Sequence, residues 1–136
     1  MENMNLKDFQ LHVGELIMYA QIIEDDIKYI YAKISGGNFK EKLEEVKKTT
    51  LGQTVKLLEE IDLKRQKPLL VYEYYSLLLQ VTAKRNHFVH ESFNTFMHLD
   101  SFKDNILYLN ECHILNNDLI LFDNLAQALE EIRISL

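Results

Sequence analysis

The chain has 136 residues, 47% of them hydrophobic and 26% charged, the size and balance of one globular domain with a substantial core. Four glycines and one proline are too few for a turn-rich β architecture, so the expectation is an all-α protein. A formal net charge of −6 excludes non-specific coating of nucleic acid, which calls for a net basic surface, and leaves only a local basic site open.

Leu6, Phe9, Val13, Leu16, Ile17, Ala20, Ile23, Ile27, Ile30 and Ile34 recur at three- and four-residue steps and predict a long first helix with one apolar stripe. It stops at "SGG", where Gly36 and Gly37 can take the left-handed conformation that ends helices. Asn38 followed by Glu41 reads as an N-cap with its capping-box partner, and Thr50 followed by Gln53 offers a second start. The stretch between reads as one helix kinked near Gly52 or as two short ones. Pro68 suits the first turn of the next helix, expected from about Pro68 to about Met97. Its run of Leu, Val and Tyr leaves little polar face, as in a central bundle position or a subunit interface.

Phe102, Ile106, Leu109, Leu119, Phe122, Leu125, Leu129 and Ile132 carry a last helical stretch, with a kink or split expected at "NND", Asn116 to Asp118. No repeat, low-complexity tract or linker interrupts the chain, so residues 1–136 read as a single domain: an up-and-down bundle of four to five helices. Cys112 has no partner for an internal disulfide. The N-terminal "MENMNLKDFQ" lacks the layout of a signal peptide, and no run approaches the roughly 18 apolar residues of a membrane span. A cytoplasmic protein with no membrane contact is expected.

The third helix carries an anomaly. Lys84, Arg85, Asn86, His87, His90 and Glu91 crowd into "KRNHFVHE", inside what otherwise looks like a buried helix, where ionisable groups are rare unless paired. Asn86 and His90 lie about 40° apart around an α-helix, one turn along. Arg85 and His90 lie about 140° apart, too far for a tight face on a straight helix. The residue types suit phosphate chemistry. Arginine offers a permanent planar fork for phosphate, histidine moves protons near neutral pH, and asparagine can orient a neighbour or a substrate oxygen.

"RNHFVH" resembles the Arg-x4-6-His signature of HEPN domains, small all-helical bundles that often carry a polar residue directly after the arginine. The resemblance implies a metal-independent endoribonuclease, often the toxin of a toxin–antitoxin pair or part of a phage-defence system. Such proteins are commonly homodimers with both motifs facing one cleft, and a minimal nucleotidyltransferase can be the antitoxin. It also implies Arg85 and His90 as the catalytic pair, with Asn86 accompanying them. His87 and Glu91 would be accessory, and no cofactor or metal would be needed. One toxin subfamily carries a tyrosine two residues after the histidine. Here that position is Ser92, so control by nucleotidyl modification does not transfer.

Other readings compete. Arg85 and His90 also fit a structural polar pair at a helix crossing, and Glu91 fits an ion-pair partner for His87 one turn back. A metal bound by His87 and His90 would have to recruit His98, His113 or Cys112, and Cys112 fits better as a small apolar filler. Tyr72, Tyr75 and Leu79 fit core or interface better than base-stacking platforms. Lys40, Lys42, Lys47 and Lys48, interleaved with glutamates, fit a solvated helix face. The alternative function is a catalytically inactive HEPN-like module that binds RNA, a nucleotide or a protein.

Overall fold

Two long helices frame the bundle in the computed structural model, which describes residues 4–136. The reading of the N-terminal stretch as lacking a leader, and the outermost part of the 1–136 domain span, fall partly outside these residues. Helix α1, Leu6–Ile34, has 29 residues, and the last helix, Ile106–Ser135, has 30. At about 1.5 Å per residue each spans roughly 44 Å. Both are capped by asparagine: Asn5 Oδ1 accepts the Asp8 amide at 2.8 Å, and Asn105 Oδ1 accepts the Leu107 amide at 2.8 Å. Gly36 and Gly37 take φ of 79° and 77°, the left-handed values glycine adopts without a Cβ penalty, so α1 stops where the sequence indicates.

Between the long helices lie α2 (Phe39–Val46), α3 (Leu51–Asp62) and α4 (Tyr72–Asn86), which makes the last helix α5. Among the described residues there is no strand, and the fold is an all-α bundle. Asn38 caps α2 through the Glu41 amide at 3.1 Å. Thr50 and Gln53 form a reciprocal capping box that opens α3. The stretch 39–62 is therefore two short helices, with Gly52 inside the second.

The directions follow from the contacts. Phe9 packs on Tyr108 with ring centroids 5.9 Å apart, and Asp26 meets Arg133 at 2.9 Å, so α1 and α5 run the same way. Lys84 meets Asp118 and His87 meets Glu111, so α4 runs antiparallel to α5. One buried cluster draws on α1, α3, α4 and α5, with Leu16, Ile27, Leu58, Leu78, Leu115 and Phe122 among its sealed members. Burial of such side chains stabilises the fold by about 1.5–3 kcal/mol each.

Several expectations need correcting. Ile17, placed in the α1 stripe, lies on its outward flank and is exposed. α5 passes through Asn116–Asp118 unbroken, because Leu115, Asp118 and Phe122 all continue its buried side. α4 begins at Tyr72 rather than near Pro68. The cause is long-range: the sealed carboxylate of Asp62 accepts the Leu69 and Leu70 amides at 2.8 and 3.1 Å and the Tyr75 hydroxyl at 2.6 Å, which holds residues 69–70 out of a helix. Within one chain α4 is not at a central position covered on more than one side, which leaves the subunit-interface alternative. Tyr75, Leu78 and Val81 are buried, while Tyr72 is 68% and Leu79 43% exposed, so of Tyr72, Tyr75 and Leu79 only Tyr75 is core within one chain.

A candidate phosphate site at a π-helical turn

The α-helical winding of α4 ends at Asn86, short of the expected Met97. A π-helical turn follows over His87–Glu91, then a 3-10 turn over Ser92–Thr95. The Ser92 amide donates to the His87 carbonyl five residues back, which widens the turn relative to an α-helix. Packing on either side of the turn is aromatic. Phe88 is buried against Phe9, with centroids 6.4 Å apart. Phe96 is fully buried among Phe9, Phe102 and Tyr108, at 5.5, 5.3 and 4.9 Å. With Phe88, Ser92 and Phe96 all turned inward, Val89, His90 and Glu91 face solvent.

The motif residues divide into two sets. Arg85 is half-buried, and its guanidinium donates twice to the Asn86 side-chain oxygen, from Nη2 at 2.8 Å and from Nε at 3.3 Å. The other two arginines of the chain each meet a carboxylate, Arg65 at Asp62 (3.8 Å) and Arg133 at Asp26 (2.9 Å). Among the described residues Arg85 has no such partner. His90 is exposed, so neither member of the Arg85–His90 pair is walled off from solvent. Winding with more residues per turn reduces the angle between positions five apart, and the π winding begins two residues after Arg85.

His87 and Glu91 belong to the second set. His87 is part-buried, with Nε2 2.6 Å from Glu111 Oε1 and Nδ1 3.5 Å from Glu91 Oε2. Glu91 is thus a partner of His87, as the spacing indicates, but the nearer one is Glu111, 24 residues on. Glu111 is 5% exposed, and its Oε1 also accepts the hydroxyl of the sealed Ser92 at 2.5 Å. Immediately before the motif, Lys84 Nζ meets the buried Asp118 at 3.1 Å.

Glu111, Asp118 and the buried role of Ser92 escaped the sequence reading. The signal for the two acids was available: both fall on the inward stripe of α5 with Tyr108, Cys112, Leu115 and Phe122, where a carboxylate demands a partner. Cys112 is sealed, and burial pushes its thiol up from the ordinary value. Among the described residues no three potential metal ligands come together. Lys42 and Lys47 pair with Glu45 and Glu44 at 3.5 and 3.9 Å, as a solvated face would. Among the described residues no helix is long and apolar enough to cross a membrane.

No protein-family model matches the chain, and comparison with curated proteins and with solved structures gives no match either. The site's geometry therefore carries the functional argument.

Proposed function

We propose that the chain is a HEPN-like, metal-independent endoribonuclease, with Arg85 and His90 as its catalytic pair and Asn86 orienting the guanidinium. The observation that carries this reading is the state of Arg85. It is the one arginine without a carboxylate among the described residues, it is held by an uncharged amide, and it lies two residues before the π-helical turn that carries an exposed histidine. A structural arginine at a helix crossing is ordinarily neutralised. This one keeps its charge available for a phosphate.

The chemistry needs no metal. A base takes the proton from the ribose 2′-hydroxyl, the 2′-oxygen bonds to phosphorus, the bond from phosphorus to the 5′-oxygen breaks, and an acid protonates that oxygen. The ends left are a 2′,3′-cyclic phosphate and a 5′-hydroxyl. A placed histidine contributes about 10²–10⁴ in rate, and a guanidinium on the phosphorane oxygens about 3 kcal/mol more. One His90 cannot serve as acid and base in a single step. A twofold homodimer supplies two, because an isologous interface brings identical patches together. Exposed Tyr72, Leu79, Val89 and Phe93 on the same segment supply apolar surface for such a contact.

The biological setting that goes with this reading is a toxin held by an antitoxin, such as a minimal nucleotidyltransferase, or a phage-defence effector, acting in the cytoplasm. The test is mixed RNA incubated with purified protein in EDTA, parental chain against His90→Ala. Cleavage that survives EDTA and disappears in the variant is the expected result. Equal cleavage by both would remove His90 from the chemistry, and none by the parent would leave an RNA-, nucleotide- or protein-binding module as the reading.

A further inference from the structure

The geometry points to Glu111 as a positioning residue that staples the π-turn shut and so sets Arg85 and His90 on a common face. This rests on the ribonuclease reading for its catalytic consequence, but the staple itself stands on distances. His87 and Ser92 are the two ends of the i→i+5 turn, joined by the Ser92 amide on the His87 carbonyl. Their side chains converge on one atom. Glu111 Oε1 lies 2.6 Å from His87 Nε2 and 2.5 Å from Ser92 Oγ. An ionised carboxylate only accepts, so Nε2 carries the hydrogen and both side chains donate.

An α-helix could not make this arrangement. Positions five apart would stand about 140° apart on the cylinder and could not reach the same oxygen. Opening the turn to an i→i+5 bond brings them together, and a carboxylate that is 5% exposed needs both donors to offset its lost hydration. Glu111 therefore selects the π winding over the α winding at this point. The catalytic pair shares that spacing of five residues and its second half, 87–90, lies within the turn, so part of the widening that joins 87 to 92 draws 85 towards 90. The staple also explains Ser92. The position that holds a tyrosine in one HEPN subfamily is fully buried here and occupied by a hydroxyl that donates inward.

Glu111 does not touch substrate, so the test needs readouts that a bulk structural role would not move. Ser92→Ala removes one arm with little change in volume, and Glu111→Gln keeps an oxygen acceptor. Amide hydrogen exchange comes first. The position-92 amide is expected to exchange about 10-fold faster in Ser92→Ala and within about threefold of parental in Glu111→Gln, with Val81 and Leu115 unchanged. Unchanged protection at position 92, or loss spreading to Val81 and Leu115, would overturn the staple. Steady-state cleavage comes second: kcat in Ser92→Ala is expected to fall about 10- to 100-fold with KM within about twofold. An unchanged kcat, or a rise in KM alone, would overturn the positioning role. If the parental chain cleaves no RNA, the ribonuclease reading and with it the catalytic consequence fall, while the exchange data still decide whether Glu111 holds the turn.

Discussion

Replacing Tyr75 by phenylalanine isolates the interaction that decides where α4 begins. Asp62 is fully buried and has three donors, the Leu69 and Leu70 amides at 2.8 and 3.1 Å and the Tyr75 hydroxyl at 2.6 Å. Phenylalanine keeps the ring and removes one donor from a buried carboxylate, a loss of about 2 kcal/mol. With an unfolding entropy of about 2.1 cal/mol/K per residue, 136 residues give about 0.29 kcal/mol/K, so Tm falls by about 7 °C. The deficit also has a predicted pH dependence. Burial, and then the bond to Asp62, push the Tyr75 hydroxyl up from 10.0. Above pH 10 the unfolded chain loses this proton while the folded one keeps it, so the parental stability falls by up to about 1.4 kcal/mol per pH unit. The phenylalanine variant has no such proton to lose. Tyr108, also pushed up by burial, is common to both proteins and cancels in the difference. The parental advantage of about 2 kcal/mol should therefore vanish within roughly 1.5 pH units above 10. Urea denaturation of both proteins at pH 7, 9, 10 and 11 measures it. A difference below about 0.5 kcal/mol at pH 7, or one that stays flat to pH 11, would refute the reasoning.

Three further outcomes follow from the charged groups. Lys84→Ala strips the buried Asp118 of its partner and should cost about 2 kcal/mol in denaturant melts; Arg85→Ala should cost less than about 0.5 kcal/mol yet lower RNA cleavage by about 10²–10³. Burial outweighs the Arg133 guanidinium 2.9 Å away and pushes Asp26 up from 3.8, so its contribution to stability falls as pH rises from about 4 through the folded value. The stability of the parent relative to Asp26→Asn should therefore be greater at pH 4 than at pH 7, and equal values at the two pHs would argue against the assignment. Co-refolding parental and His90→Ala chains in equal amounts should leave about 25% of the cleavage if both histidines serve one cleft, whereas about 50% would mean each chain works alone.

What the sequence disclosed and what it withheld divide along the range of the interactions. Where α1 ends, and where α2 and α3 begin, is set within a few residues by Gly36 and Gly37, Asn38, and Thr50 with Gln53, and all of these were readable. The start of α4 depends on a carboxylate seven or eight residues back that captures two amides, and local propensity at Pro68 says nothing of it. The π-turn is tied to Glu111, 24 residues beyond His87, a contact that a helical wheel drawn at α-helical spacing does not reveal. The apolar run of α4 misled for another reason. Composition reports what a helix could bury, not whether a neighbour is present to bury it, and Tyr72 and Leu79 stay uncovered in the single chain.

The distribution of charge around the turn bears on the choice between cutting and carrying. Lys84 is taken by Asp118, and His87 by Glu111 and Glu91. At the turn that leaves Arg85 as the cation with no carboxylate partner among the described residues. Affinity for RNA grows with the number of phosphates neutralised, and a module that held RNA by this segment would have one such contact per chain, on a protein of net charge −6. Catalysis makes a different demand. It needs little ground-state binding and a strong interaction where charge develops in the transition state. On the proposed reading, a guanidinium held by an amide, five residues before an exposed imidazole, would suit that demand better than the demand for tight binding.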